Sequence, residues 1–219
     1  MEGGPASKEL LARLNKDRDT PLTRRDLRRA AALAQLELDR GRYEASKADH
    51  GYSREIAIKK SRDRAGEVIR KELGLDQDRG LTVSYSEGLG ANPERDDRGY
   101  YQPQEGGGGR ISLGPLAFDS GKVAVGVVVH EAVHRLQDLT NNYAAEGAPP
   151  SATSVQEVQA SRAVLELAEG IGLSTEEKKV FETDVAQELE VIKEEENETY
   201  LRDLLKDPPD YKLAPNHRP

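Results

Sequence analysis

Val123-Ala124-Val125-Gly126-Val127-Val128-Val129-His130-Glu131-Ala132-Val133-His134 is the stretch on which the reading of this chain turns. Its valines suit a pleated strand, but Ala132, Val133, Leu136 and Leu139 carry the apolar spacing at helical intervals past both histidines. One buried helix from about Gly121 to Asp138 accommodates the whole pattern. The segment stands out because only 36% of the 219 residues are hydrophobic while 33% are charged. The core must therefore be concentrated in few segments, with much of the rest solvated helix or loop.

Residues four apart on a helix lie one turn apart on the same face, so His130 and His134 can aim ring nitrogens at one ion, with zinc–nitrogen distances of about 2.0–2.1 Å. The chain has no cysteine, which leaves His, Asp and Glu as the strong ligand candidates. Zinc lowers the pKa of a bound water toward about 7, and a carboxylate beside it, here Glu131, can take the proton and deliver it to a leaving amine. A motif fixing three positions also arises by chance. Against that, two of the four histidines fall in the most apolar segment, where burial costs free energy unless a metal offsets it.

A catalytic zinc takes three protein ligands, and no third histidine follows at short spacing. That directs the search to a carboxylate. Glu157 is the foremost candidate, on a helix from about Thr153 to Glu169 that ends at Gly170 and could pack antiparallel to the first; Ala160, Ser161 and Ala163 would permit close approach. The competing reading is a capping box of Ser154 and Glu157 at that helix's start. Asp138, one turn past His134, reads as a supporting or surface residue, and Glu146 and Glu166 as further ligand alternatives.

Elsewhere, Leu27, Ala30, Ala31, Ala34 and Leu38 predict an amphipathic helix from Thr23 to about Leu38, opened by a Thr23/Asp26 capping box. A second helix is expected over Ser53 to Leu73 with Gly74 as its stop, while Arg40 to Tyr52 is ambiguous. Leu81, Val83 and Tyr85 alternate as in a strand, and Gly99 to Gln104 with Arg110 to Leu113 reads as a loose hairpin whose first arm Pro103 demotes toward an edge. A last, acidic helix is expected from about Thr175 to Lys206.

Net charge is −8, with 18 Lys/Arg against 13 Asp/Glu in residues 1–75 (+5) and −13 in the remainder. The basic half is interleaved with acids and poor in aromatics for base stacking, so a solvated helical surface is the expectation and no nucleic-acid partner. No run approaches a membrane span and Met1 to Ser7 lacks signal-peptide character. The expected location is the cytoplasm, or a target cell reached by secretion without a cleaved signal peptide.

His130-Glu131-Ala132-Val133-His134 followed by Glu157 resembles the gluzincin branch of the zincin metallopeptidases, in its minimal form. The resemblance implies an α+β fold: a small zincin-like core with a short, mainly antiparallel sheet, the buried motif helix and a glutamate-bearing helix, flanked by helical extensions. The units expected are a charged helical front over 1–52, the peptidase domain with its acidic last helix over 53–206, and a Pro-rich tail over 207–219. It further implies one catalytic Zn2+ on His130, His134 and Glu157, water activation by Glu131, and an edge strand at Ile111, Ser112 and Leu113 that aligns an extended protein or peptide substrate. An oxyanion stabiliser is expected at Tyr143, with Tyr100, Tyr101, His50, His217 and Arg110 as alternatives. Small size and a charged front look like the zinc peptidase effectors or toxins that bacteria inject into other cells. A housekeeping zinc peptidase is the alternative, and, from a different class, a binding or assembly protein with structural zinc or none.

Overall fold

The computed structural model describes residues 8, 10–12, 22–78, 80–89, 98–140 and 150–194. Helix α1, Arg24–Ser46, opens on the expected capping box: the Thr23 N–H donates to Asp26 Oδ2 at 2.8 Å and the Asp26 N–H to Thr23 Oγ1 at 3.3 Å. Its buried stripe is the predicted Leu27, Ala30, Ala31, Ala34 and Leu38, but it continues through Gly41 and Ala45. The extension exists because α1 crosses helix α2, Gly51–Glu72, at Gly41, where a Cβ would fall 2.2 Å from the Ser61 Cβ. Small residues there serve close packing, which is why that stretch carried little apolar signal. Helix α2 gives way to Gly74 in the left-handed region (φ 73°), the stop its sequence predicts.

Strands β1 (Leu81–Tyr85), β2 (Gly99–Gln104) and β3 (Gly108–Leu113) form a sheet of order β1-β3-β2. It is mixed rather than mainly antiparallel, since β3 pairs in parallel with β1 and antiparallel with β2. The sheet order also corrects the expected substrate strand. Ile111, Ser112 and Leu113 lie on the central strand, their backbones paired on both sides and Ile111 and Leu113 fully buried. The edge strand is β2, where Pro103 has no N–H to give a second neighbour and Tyr101 alone is buried.

Helix α3, Gly121–Leu139, is the predicted motif helix; Ser120 caps it by accepting from the Val123 N–H at 3.1 Å, and it is buried along nearly its whole length. Helix α4, Pro150–Ile171, begins a turn earlier than Thr153 and stops at Gly172 (φ 85°) rather than Gly170. Proline is preorganised for a first helical turn. Helix α5, Thr175–Glu194, opens on a second capping box, Ser174 with Glu177; the expected continuation to Lys206 lies outside the described residues, as does the tail over 207–219. Leu27 and Ala34 of α1, Ile69 of α2, Ile111 of β3, Val125 of α3, Val164 of α4 and Phe181 of α5 belong to one buried cluster. Residues on both sides of position 52 share that cluster. The chain is thus mostly helical with a small mixed sheet, an α+β architecture, and no described helix is long and apolar enough to cross a membrane.

Candidate metal centre

Helices α3 and α4 bring three side chains to one point. His130 Nε2 lies 2.9 Å from Glu157 Oε2, His134 Nε2 lies 3.3 Å from Glu157 Oε1, and the two Nε2 atoms are 3.1 Å apart. Ligands placed tetrahedrally at about 2.0–2.1 Å from one zinc ion would sit about 3.3 Å from each other. The three donors therefore already approximate one face of such a polyhedron, and this group could hold a metal ion. The far ring nitrogens are occupied as well: His134 Nδ1 is 2.8 Å from Gln137 Oε1 and His130 Nδ1 is 3.2 Å from Ser161 Oγ. Those contacts turn both Nε2 atoms toward the shared centre.

The early start of α4 removes the capping reading of Glu157. Ser154 is a buried residue inside the helix, not its cap, and Glu157 turns to the histidines. Among the protein groups alone, burial opposes a charged His134, but the adjoining Glu157 carboxylate outweighs it and raises the imidazole pKa to about 9. The same pair acts on Glu157: burial favours the neutral acid, yet the two imidazoles hold its pKa well below the usual carboxylate range.

Glu131 projects from α3 beside this group and is 4% exposed. Burial raises its pKa, opposed by His130 and His134, and the Tyr101 backbone N–H donates to the carboxylate. Strand β2 comes so close that a Cβ on Gly99 would lie 2.5 Å from Glu131 Oε1. These groups open into a cleft of about 500 Å3, whose walls are β2 at Gly99 to Tyr101 and α5 at Phe181, Asp184 and Glu188.

The remaining sequence candidates separate from the centre. Asp138 accepts from the Tyr101 hydroxyl and pairs with Arg135 at 3.1 Å; with Asp78 it neutralises that buried guanidinium, which also donates to the Gly107 and Gly108 carbonyls and so ties α3 to the hairpin turn. Tyr101 is thereby engaged away from the cleft through its hydroxyl, whereas Tyr100 is exposed on the cleft lip. Arg110 and Glu166 are exposed, and His50 is the residue before α2, so none of them joins the ligand group. Tyr143, Glu146 and His217 lie outside the described residues. Sequence reasoning passed over Gln137, one turn past His134, and saw in Ser161 only a small packing residue, although its position one turn past Glu157 on α4 was a usable signal. Nothing in the sequence signalled that α5 would wall the cleft.

Compared with known proteins, the chain matches no family model, no curated protein and no solved structure.

Proposed function

We propose that the chain is a zinc-dependent metalloendopeptidase with a gluzincin-like centre. The observation that carries the reading is the convergence of His130, His134 and Glu157 beside the buried Glu131 in one cleft. Two imidazoles and a carboxylate form a donor set suited to zinc. Three protein donors leave a coordination position open, as a catalytic rather than a structural site requires. The order of sheet, motif helix and glutamate helix is compatible with a minimal zincin-like core.

When bound, zinc would supply Lewis acidity that makes water a competent nucleophile at neutral pH. Glu131, its pKa raised by burial, takes the proton of the attacking water and returns it to the leaving amine. The Tyr101 N–H fixes the carboxylate's direction from β2. Gly99 and Tyr100 line the cleft on that edge strand, and an extended peptide can lie there by backbone pairing. The substrate class that follows is a protein or peptide in extended conformation.

Chelation tests the reading. Treatment with a strong chelator should abolish cleavage of a mixed protein substrate and zinc readdition should restore it, measured by fluorescence release from a labelled protein. Cleavage that is indifferent to the chelator would remove the metal from the mechanism.

A further inference from the structure

One residue of β2 is gripped at two points by one face of α3. Tyr101 stands opposite Ile111 in the antiparallel register, yet its backbone does not turn toward β3. Neighbouring bonds set the alternation: the Gly114 N–H donates to the Arg98 carbonyl at 2.8 Å, and the Gly109 N–H, opposite Pro103, donates away from β2 to the Gly80 carbonyl at 2.8 Å. Opposed residues alternate between bonded and unbonded pairs, so Gly99, Tyr101 and Pro103 carry their backbone groups on the outer side of β2. The Tyr101 N–H therefore needs an acceptor from outside the sheet, and the Glu131 carboxylate is that acceptor.

The side chain of the same residue is held a turn further along α3. Its ring lies across Gly109, where a Cβ would fall 2.6 Å from Tyr101 Cε2, and its hydroxyl donates to Asp138 Oδ2 and accepts from Arg135 Nη1 at 3.2 Å. Arg135 is 4% exposed, and a guanidinium so buried is fixed by the groups that meet its charge: Nε and Nη2 donate to the two Asp78 carboxylate oxygens at 3.0 and 3.2 Å, and Nη1 to Asp138 Oδ2 at 3.1 Å. Glu131 and Arg135 are four apart on α3 and share a face. We infer that Tyr101 is a positioning residue for Glu131: the grip of Asp138 and Arg135 on its hydroxyl holds its backbone N–H on the carboxylate. A general base acts only from a fixed distance and direction, so a hydroxyl outside the cleft governs proton transfer inside it. The catalytic consequence rests on the peptidase reading of the same site; the two-point grip does not.

The test compares the zinc-loaded full chain with Tyr101→Phe, which removes one oxygen and keeps the ring. Amide hydrogen exchange by NMR reads the grip, and kcat and KM on a fluorogenic peptide containing a bond the parent cleaves read its consequence. Exchange of the amide at position 101 should quicken about 10-fold, while that of Ile111, whose N–H faces β1, stays within about 2-fold. The variant's kcat should fall about 10-fold with KM within about 2-fold of the parent. Asp138→Ala should reproduce both changes, and Asp138→Asn, which still offers the hydroxyl an acceptor, should recover most of the loss. Unchanged exchange at position 101, unchanged kcat, or an acceleration shared equally by Ile111 overturns the inference. A parent that cleaves nothing while the amide at position 101 responds as stated ends the peptidase reading and leaves the grip standing; a Tyr101→Phe variant that cleaves with the parent's kcat does the reverse.

Discussion

Gln137 shows how a side chain outside the candidate ligand group can orient a member of it. It is fully buried one turn past His134, accepts from the imidazole at Oε1, and donates through Nε2 to Gln159 Oε1 at 3.1 Å. A neutral acceptor at that point selects the His134 tautomer protonated at Nδ1, with the Nε2 lone pair turned to the candidate centre. Gln137→Leu removes the acceptor at similar volume and should weaken zinc affinity by about 10–100-fold, read by competition with a chromophoric chelator. An unchanged affinity would mean that α3 and α4 alone orient the ring. Glu131 depends on its neighbours in the same way. Its partner is a backbone N–H on β2, and Gly99 is the residue that lets the strand come near enough to offer it. The motif residues were legible because their spacing is the chemistry. Gln137 was not, because a glutamine on a helix reads as solvated surface until the packing around it is known.

At the scale of elements, the helices were the readable part and their ends the unreliable part. The stripe of α1 from Leu27 to Leu38 was visible, while its last turns were hidden behind Gly41, a residue chosen for the approach of Ser61 rather than for helix propensity. Ser154 and Glu157 mimicked a cap because a capping box is a pattern of only two residues, and Pro150 had already started the helix. The strand order was beyond local pattern altogether. β1 pairs directly with β3 and skips β2, which lies between them only in sequence, so an edge strand and a central strand look alike until the non-local pairing is known. The most informative element is α5, whose Glu177 accepts from the Ser174 N–H at 2.8 Å and from Ser120 Oγ at 2.6 Å, joining the cap of α5 to the cap of α3. Burial alone would raise the Glu177 pKa, but these donors and Lys122 lower it. A carboxylate with a depressed folded pKa stabilises the fold above its unfolded pKa and loses that contribution as pH falls through the folded value. Glu177→Ala should therefore cost about 1 kcal/mol in urea unfolding at pH 7, with most of the parent–variant difference gone at the acid end of the carboxylate range. A difference independent of pH would assign the effect to packing instead.

For the whole molecule, the shared core has a direct consequence. Leu27 and Ala34 of α1 are buried in the same cluster as Val125 of α3 and Phe181 of α5, so α1, which precedes residue 53, contributes to the surface against which the motif helix is held. Far-UV circular dichroism and tyrosine fluorescence should report one coincident unfolding transition, the latter usable because the chain has eight tyrosines and no tryptophan. Early loss of part of the helical signal would mean that α1 and α2 form a separable unit. Charges report the exposed faces, whereas the common core draws on alanines, valines and leucines from both sides of residue 52. The proposed activity requires four residues on two helices to act at one centre. The most direct test measures zinc content by elemental analysis and proteolysis of a mixed protein substrate, side by side, for the parent chain and for Glu131→Gln. The account predicts one equivalent of zinc in both proteins, with cleavage in the parent and its loss in the variant; a parent that binds no zinc, or a variant that cleaves as well as the parent, would contradict it.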